Sequence, residues 1–159
     1  MAAYTTIDDP SAYFQTTLYT GNATDATAIT NGGNSDLKPD LLIIKNRGAT
    51  HWHQTFDSTR GADARIATNE PAAEGTEASA LNTFDTDGFT LGDGQDNGSA
   101  ANTTNNDGAS YVAWQWKANG GSTSSNSDGN ITTTLQANTT AGFSFFTYTA
   151  NNSSTGTLG

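Results

Sequence analysis

The chain has 159 residues, a formal net charge of −10 with only six Lys and Arg residues, and no cysteine. This length suits one domain. The acidity leaves no basic face for a phosphate backbone and repels an anionic membrane, so no nucleic-acid partner and no membrane insertion are expected, and without cysteine neither a disulfide framework nor a thiolate metal site can form.

Short strands are predicted along the first half of the chain, because apolar residues gather in bursts that contain aromatics. The polar N-terminus has no basic region followed by an apolar run, so no signal peptide is predicted, and a first strand follows over residues 13–19. Residues 41–44 form the most continuous apolar run, which predicts a central strand buried on both faces. Residues 51–56 are expected to form its partner strand, and residues 64–68 a further short one.

The second half begins with an acidic, Ala-rich segment over residues 70–79, where we predict a loop because no apolar stripe accompanies it. Residues 81–84 and 88–91 flank an Asp-Thr-Asp turn, which predicts a β-hairpin. Residues 119–129 are rich in Gly, Ser and Asn and predict a flexible connector. The last strand is expected over residues 143–149.

A strand is also expected over residues 111–117, where the side chains should alternate between two faces. The predicted faces are Val112, Trp114 and Trp116 on one side and Tyr111, Ala113 and Gln115 on the other. Both of these tryptophans should therefore face one layer.

The two ends of the chain resemble each other, since residues 14–22 correspond position by position to residues 143–151. The matching pairs are Phe14 and Phe143, Tyr19 and Tyr148, Thr20 and Thr149, and Asn22 and Asn151. Such similarity indicates either a tandem array that is cut off after one unit, or two like strands that lie side by side and close one sandwich.

These observations divide the chain into an N-terminal arm over residues 1–12, a β-sandwich core over 13–121, and a segment over 122–159. That last segment holds a linker and a strand that either opens a second repeat or completes the sandwich. Its strand would present unpaired main-chain groups to a neighbour's strand. The predicted assembly edge consists of Phe143, Phe145, Phe146 and Tyr148.

Five blocks of distinctive sequence follow one another along the chain: YTGN at 19–22, PDL through KNR at 39–47, FDSTRG at 56–61, DGFTLG at 87–92 and YVAWQWKA at 111–118. In this order they resemble the signature blocks of an uncharacterised repeat domain in structural and tail-fibre-like proteins of marine tailed phages of the cyanophage type. Two later blocks, DGNI at 128–131 and ANTTAGFS at 137–144, resemble the family's link into its next repeat.

The resemblance covers nearly the whole chain and implies an all-β fold, an antiparallel β-sandwich of the jelly-roll or concanavalin A-like type with long polar loops. It also implies a virion structural protein, either a capsid decoration or a component of a tail fibre or other appendage. Such a protein would be made in the host cytoplasm and lie on the virion surface, and it would have other virion proteins and further copies of itself as partners.

The most conspicuous polar and aromatic cluster is His51, Trp52 and His53. The two histidines could bind a metal, but they have no nearby acidic partner in the sequence. Half-exposed imidazoles that flank Trp52 are the plainer interpretation. An exposed Trp52, or one of Trp114 and Trp116, could instead stack on a sugar ring of a host-surface glycan, which makes a lectin-like adhesion module the alternative function. Trp52, His51 and His53 are the predicted glycan-binding residues of such a module.

Two pairs of aspartates, Asp85 with Asp87 and Asp93 with Asp96, could supply oxygen ligands for calcium, as loops of lectin-like sandwiches do. The spacing of an EF-hand loop is absent. The competing interpretation is that Asp, Asn and Gly occupy turns because they tolerate left-handed backbone and bond to their own main chain. Apart from this calcium hypothesis, no cofactor is expected.

No catalytic constellation stands out. The sixteen acidic residues offer many carboxylate pairs for a glycosidase without singling one out, no serine lies in a Gly-x-Ser-x-Gly elbow, and the glycine-rich loop over residues 92–98 carries acids where a phosphate would sit. Asp57 and Arg60 are explained by a charge-stabilised turn. We therefore expect a non-enzymatic protein that acts by protein-protein assembly.

Overall fold

The computed structural model describes residues 7–94, 104–152 and 154–159. Within them, one turn of 3-10 helix (Pro10–Ala12) precedes the strands β1 (Phe14–Thr20), β2 (Thr27–Ile29), β3 (Leu41–Asn46), β4 (Gln54–Asp57), β5 (Gly61–Ala67), β6 (Gly75–Thr76), β7 (Thr83–Asp85), β8 (Gly88–Leu91), β9 (Ser110–Trp116), β10 (Ser124–Asn126), β11 (Thr133–Asn138) and β12 (Phe143–Tyr148). No helix among the described residues has the length and apolar character needed to cross a membrane. The predicted all-β class is confirmed.

A six-stranded sheet, called the main sheet below, is the largest element of the fold. Its strand order is β1-β9-β3-β4-β5-β6, and its neighbours pair antiparallel. β3 lies between β9 and β4, as expected for the most apolar run of the sequence. The hydrophobic strands therefore occupy the centre of the sheet, where both main-chain edges are paired.

A second sheet, with the order β2-β8-β7, covers one face of the main sheet. The buried cluster between the two includes Leu42, Ile44 and Phe56 from the main sheet and Phe89 and Leu91 from β8. Because side chains on both inner faces meet in one buried layer, these sheets form an antiparallel β-sandwich.

The predicted hairpin is part of the covering sheet, with Phe84 paired to Phe89 and Asp85 to Gly88. Gly88 adopts a φ of +99°, and a Cβ at this position would lie 2.0 Å from the carbonyl oxygen of Ile29. The close approach of β8 to β2 therefore requires glycine here.

A third sheet, the C-terminal sheet, has the order β10-β11-β12. The two self-similar segments consequently take different places: β1 pairs with β9, whereas β12 pairs with β11. The strand at residues 143–148 is thus not laid beside β1 to close the sandwich. Near the C-terminus, Ile131 forms a parallel bridge with Leu158.

Several strand predictions need correction. Residues 51–53 are not part of a strand, because β4 begins at Gln54, so His51 and His53 do not share a strand face. The expected connector over residues 119–129 contains β10. Four strands, β2, β6, β10 and β11, were not predicted, because their short or polar sequences carry no apolar alternation, and β6 lies within the loop predicted over residues 70–79.

Candidate interaction surface

The main sheet has two chemically different faces. One is the core face, which contacts the covering sheet through residues such as Tyr111 and Ala113. The other is called the outer face, and the register of the strands assigns to it Phe14, Thr16, Leu18, Leu41, Ile43, Lys45, Val112, Trp114 and Trp116. The predicted alternation of β9 is confirmed, and both tryptophans lie on the outer face.

The outer face stays partly open to solvent. Leu18 is 62% exposed and Phe14 41%, while Leu41 and Ile43 are half-buried. The central strand is therefore buried on one face only, and the prediction of burial on both faces was wrong. A continuous apolar run cannot distinguish a covered second face from one that remains partly exposed.

An aromatic hollow lies where the outer face meets the C-terminal sheet. The ring of Trp116 lies 5.0 Å from that of Phe14 and is stacked on Phe143, with 6.1 Å between centroids and 19° between planes. The hollow has a volume of about 330 Å³ and is lined by these three rings and by Tyr13, Ile7, Pro10, Ala141 and Gly142. Residues from both self-similar segments thus contact one tryptophan.

Polar contacts fix the C-terminal sheet to the sandwich. The fully buried Gln136 donates to the hydroxyls of Ser58 and Thr59 at 2.9 and 2.8 Å, and its Oε1 accepts from the main-chain N–H groups of Asn119 and Gly121. Because both the donor and the acceptor atoms of this buried amide are satisfied, it holds the C-terminal sheet in one position relative to the sandwich.

Asp40 organises the other side of the same junction. Its Oδ1 accepts from the Ser58 hydroxyl at 2.7 Å, and its Oδ2 accepts from the N–H groups of Ala118 and Gly120 at 2.7 and 2.9 Å. Sequence reasoning missed Asp40 and Gln136, because each bonds to residues about 15 to 80 positions away and no local pattern signals such contacts.

The predicted assembly edge divides into two sides. Phe146 and Tyr148 are 47% and 54% exposed. Phe143 and Phe145 are half-buried and lie on the opposite face of β12, where Phe145 is paired with Gln136 of β11. β12 lies at the border of its sheet. Within the described residues, a neighbouring protein could therefore contact the exposed face of β12 and pair with its outer edge at the same time.

The cluster at His51, Trp52 and His53 has a different surrounding from the one expected. The buried guanidinium of Arg65 lies over the Trp52 ring, 5.5 Å from its centroid, and pairs with Glu77 at 3.2 Å. The main-chain N–H of His53 donates to Asn69. One ring face of Trp52 is thus occupied by a cation-π contact rather than open to a sugar.

The pKa of His51 is lowered from its ordinary value of 6.5, first by burial and then by the positive charge of Lys45. Both effects disfavour the protonated imidazole. No group of three His, Cys, Asp or Glu side chains suited to a metal ion occurs in the described ranges.

Two of the aspartates proposed for calcium, Asp85 and Asp87, accept hydrogen bonds from other residues. Asp85 accepts from the hydroxyls of Thr83 and Thr90, and Asp87 accepts from the N–H of Leu37. Asp93 is half-buried, and Asp96 lies outside the described residues. Thr83 and Thr90 are paired across the hairpin, so Asp85 links its two strands, and Asp87 fixes the segment before β3 to the hairpin turn.

The Asp57 to Arg60 turn has the geometry expected for a charge-stabilised turn. Asp57 accepts from the N–H groups of Thr59 and Arg60 and from the Arg60 guanidinium. Arg60 also pairs with the half-exposed Glu74 at 2.9 Å. This turn presents Ser58 and Thr59 to Gln136, so its role is to shape the junction.

The fold and this surface define the chain as an all-β sandwich protein with an aromatic sheet face. It belongs to the family described as a domain of unknown function, DUF7483, whose model matches residues 9–159. The match runs through both the sandwich and the C-terminal sheet. No curated protein and no solved structure matches the chain.

Proposed function

We propose that this chain is a structural protein of the surface of a tailed-phage virion, either a capsid decoration or a component of a tail fibre or appendage, and that it acts by protein-protein assembly and not by catalysis. The observation that carries the proposal is the exposure of large apolar side chains on sheet surfaces: Phe14, Leu18, Phe146 and Tyr148, with Leu158.

Exposed apolar area of this kind points to a protein partner. Apolar surface left in water is unfavourable by about 25 cal/mol per Å², and contiguous apolar patches on soluble proteins mark interaction sites. Phe146 and Tyr148 lie on one face of an edge strand, where a neighbour can add both side-chain and main-chain contacts. The resemblance to phage structural proteins supports particle proteins as these neighbours.

The chain's charge supports the same choice of partner. With a net charge of −10, the surface repels nucleic acid and anionic lipid. The uncharged aromatic side chains on β12 can bind a protein partner through apolar contacts, without attraction between charges. Synthesis in the host cytoplasm followed by incorporation into the particle fits a surface of this kind.

The test is whether the chain is found in purified particles. Mass spectrometry of gradient-purified virions from the source culture should detect it, and a cryo-EM reconstruction should locate its sandwich on the capsid lattice or on a tail appendage. A chain that stays a monomer and never copurifies with particles would overturn the proposal.

A pair of variants tests whether the C-terminal sheet makes the contact with the particle. Replacing Phe146 and Tyr148 together by Lys should abolish incorporation, because the charges cannot be buried at an apolar contact. Thr134→Lys, at an exposed position of the neighbouring strand β11, is the matched control and should be incorporated normally. Equal incorporation of both would exclude this face as the contact.

A carbohydrate-binding adhesion module is the second candidate, and the aromatic hollow favours it. The apolar ring surfaces of Trp116, Phe14 and Phe143 that line the hollow are of the kind that sugar rings pack on, and a volume of about 330 Å³ lies within the range of small-ligand pockets. All three tryptophans are half-buried, and Trp116 is the one that lines this hollow.

A glycan array, probed with and without calcium, tests this candidate. Binding that disappears in Trp116→Ala and persists in Trp52→Ala would assign it to the hollow. A silent array under both conditions removes the adhesion function and leaves assembly.

A further inference from the structure

The edge strand β1 presents a free side to solvent. Main-chain bonds of Tyr13 with Lys117 and of Gly21 with Ala109 show that odd-numbered residues of this segment face β9. In an antiparallel ladder the direction of the main-chain groups alternates from residue to residue. The N–H and C=O groups that point away from β9 are therefore those of Phe14, Thr16, Leu18 and Thr20.

This free side has no charge, proline or bulge to protect it against pairing, and Thr30, Gly32 and Gly33 line a groove beside it. Proteins guard sheet edges with charges, prolines or bulges. β1 pairs with β9 over seven consecutive residues without a register shift, contains no proline, and lies in a stretch, residues 10–24, without a charged residue. Within the described part of the chain, no other strand pairs with this side.

The side chains along the free edge form a pattern that reads the same in both directions. Phe14, Thr16 and Leu18 are all exposed and alternate as apolar, polar, apolar. An antiparallel strand with the same pattern, centred on the same threonine, would face apolar with apolar and threonine with threonine. A second copy of β1 has this pattern.

We propose that a second copy of this chain pairs with this edge, antiparallel about a two-fold axis at Thr16. Phe14 then faces the partner's Leu18, and each threonine faces the partner's Thr16. Such an interface is isologous, because both copies use the same surface: Phe14 of each copy faces Leu18 of the other. The two main sheets join into one, and the apolar stripe of the outer face continues across the axis.

The inference goes beyond the virion function, because the pairing needs no particle. It also selects one strand among those at the borders of the three sheets: β1, with seven paired residues, rather than β12. The C-terminal sheet stays free for another partner, and copies that are joined through β1 would present two C-terminal sheets.

Single-cysteine crosslinking of the full chain tests the register. The chain has no cysteine, so Thr16→Cys introduces one thiol per copy. In a hydrogen-bonded antiparallel pair the Cα atoms lie about 5.5 Å apart, within the range that a disulfide spans. Mild oxidation should convert Thr16→Cys to a covalent dimer and leave Leu18→Cys, whose counterpart lies four residues out of register, as monomer.

Sedimentation of the unmodified chain and of two lysine variants supplies the second measurement. The chain should sediment as a dimer, and Thr16→Lys, which sets two like charges opposite each other, should weaken dimerisation by at least about tenfold. Phe146→Lys on β12 is the control and should remain dimeric.

A monomer at every concentration, or a dimer that dissociates in Phe146→Lys and not in Thr16→Lys, would overturn the inference. Crosslinking of Leu18→Cys in preference to Thr16→Cys would overturn the register. The crosslink reports on β1 whether or not the chain enters particles, so failure of the virion proposal and failure of this inference are distinguished.

Discussion

The amide of Gln136 reaches from β11 to the hydroxyl of Ser58 and donates a hydrogen bond to it at 2.9 Å. The same hydroxyl donates to Asp40, so one serine connects the C-terminal sheet to a buried carboxylate of the sandwich. The position of the C-terminal sheet therefore depends on two fully buried polar side chains, Gln136 and Asp40, that are joined through the half-buried Ser58, and buried polar groups are expensive to leave unpaired.

Gln136→Leu keeps the approximate size of the side chain and removes its donors and acceptor. Because the buried side-chain amide loses its hydrogen bonds to residues 58, 59, 119 and 121, we expect the free energy of unfolding to fall by about 1–3 kcal/mol. Urea denaturation measures the loss. Thr134→Val, at an exposed site of the same strand, should change stability by no more than about 0.5 kcal/mol; equal stability of the two variants would contradict the role of Gln136.

Gly88 and Gly61 have nearly the same backbone conformation, with φ of +99° and +102°, but different surroundings. Gly61→Ala meets nothing within 4 Å and should cost about 1–2 kcal/mol from backbone strain alone. Gly88→Ala places a methyl group against the Ile29 carbonyl and should cost more than about 3 kcal/mol or prevent folding. Thermal unfolding of both variants checks this order, and a Gly88→Ala protein as stable as Gly61→Ala would refute the close approach.

The Arg65 and Glu77 side chains are only 6% and 13% exposed, and the Nε and Nη1 atoms of Arg65 have no hydrogen-bond partner among the described residues. Glu77→Gln leaves this buried guanidinium without its counter-charge, so we expect a loss of about 3 kcal/mol. Glu74→Gln removes a pair whose carboxylate side chain is 52% exposed and should cost no more than about 1 kcal/mol. Parallel urea titrations should show this difference, which would be absent if the Arg65 pair were solvated.

His51 should titrate below 6.5, since burial and Lys45 both lower its pKa. The unfolded chain then binds this proton at a higher pH than the folded chain does. The contribution of His51 to stability is therefore complete above pH 6.5 and declines as the pH falls from 6.5 toward the lower, folded-state pKa.

An NMR titration of the His51 imidazole measures that pKa directly. Lys45→Met should raise it partway toward 6.5, because the charge is the smaller of the two causes. Lys38→Met removes one positive charge at another site and should leave the pKa of His51 unchanged. A pKa that does not respond to Lys45→Met would mean that burial alone causes the shift.

Predictions from the sequence succeeded where a strand carries apolar residues at regular spacing. The alternation around Trp114 and Trp116 placed both tryptophans on one face, and the turn at residues 85–87 located the hairpin. Polar strands, such as β10 and β11, were missed because their pairing is held by main-chain bonds and their side chains carry no periodic signal.

The candidate surface was predicted only in part. Phe146 and Tyr148 were proposed from sequence as an assembly edge, and the aromatic hollow at Trp116 was not, because it joins side chains from β1, β9 and β12. The free edge of β1 also escaped prediction. A sequence shows that a segment is extended and uncharged, but not whether its second edge is paired.

The sequence by itself determined the all-β class, the central position of β3, the two faces of β9 and the acidic, cysteine-free character of the surface. These properties follow from residue type and from the alternation of side chains along a strand. Only the tertiary structure decided that the two self-similar segments belong to different sheets, that Gln136 and Asp40 share Ser58, and that β1 has a free edge. Each of these features depends on contacts between residues that are far apart in the sequence. Bringing such residues together costs loop-closure entropy, and a local sequence pattern does not show which of these contacts form.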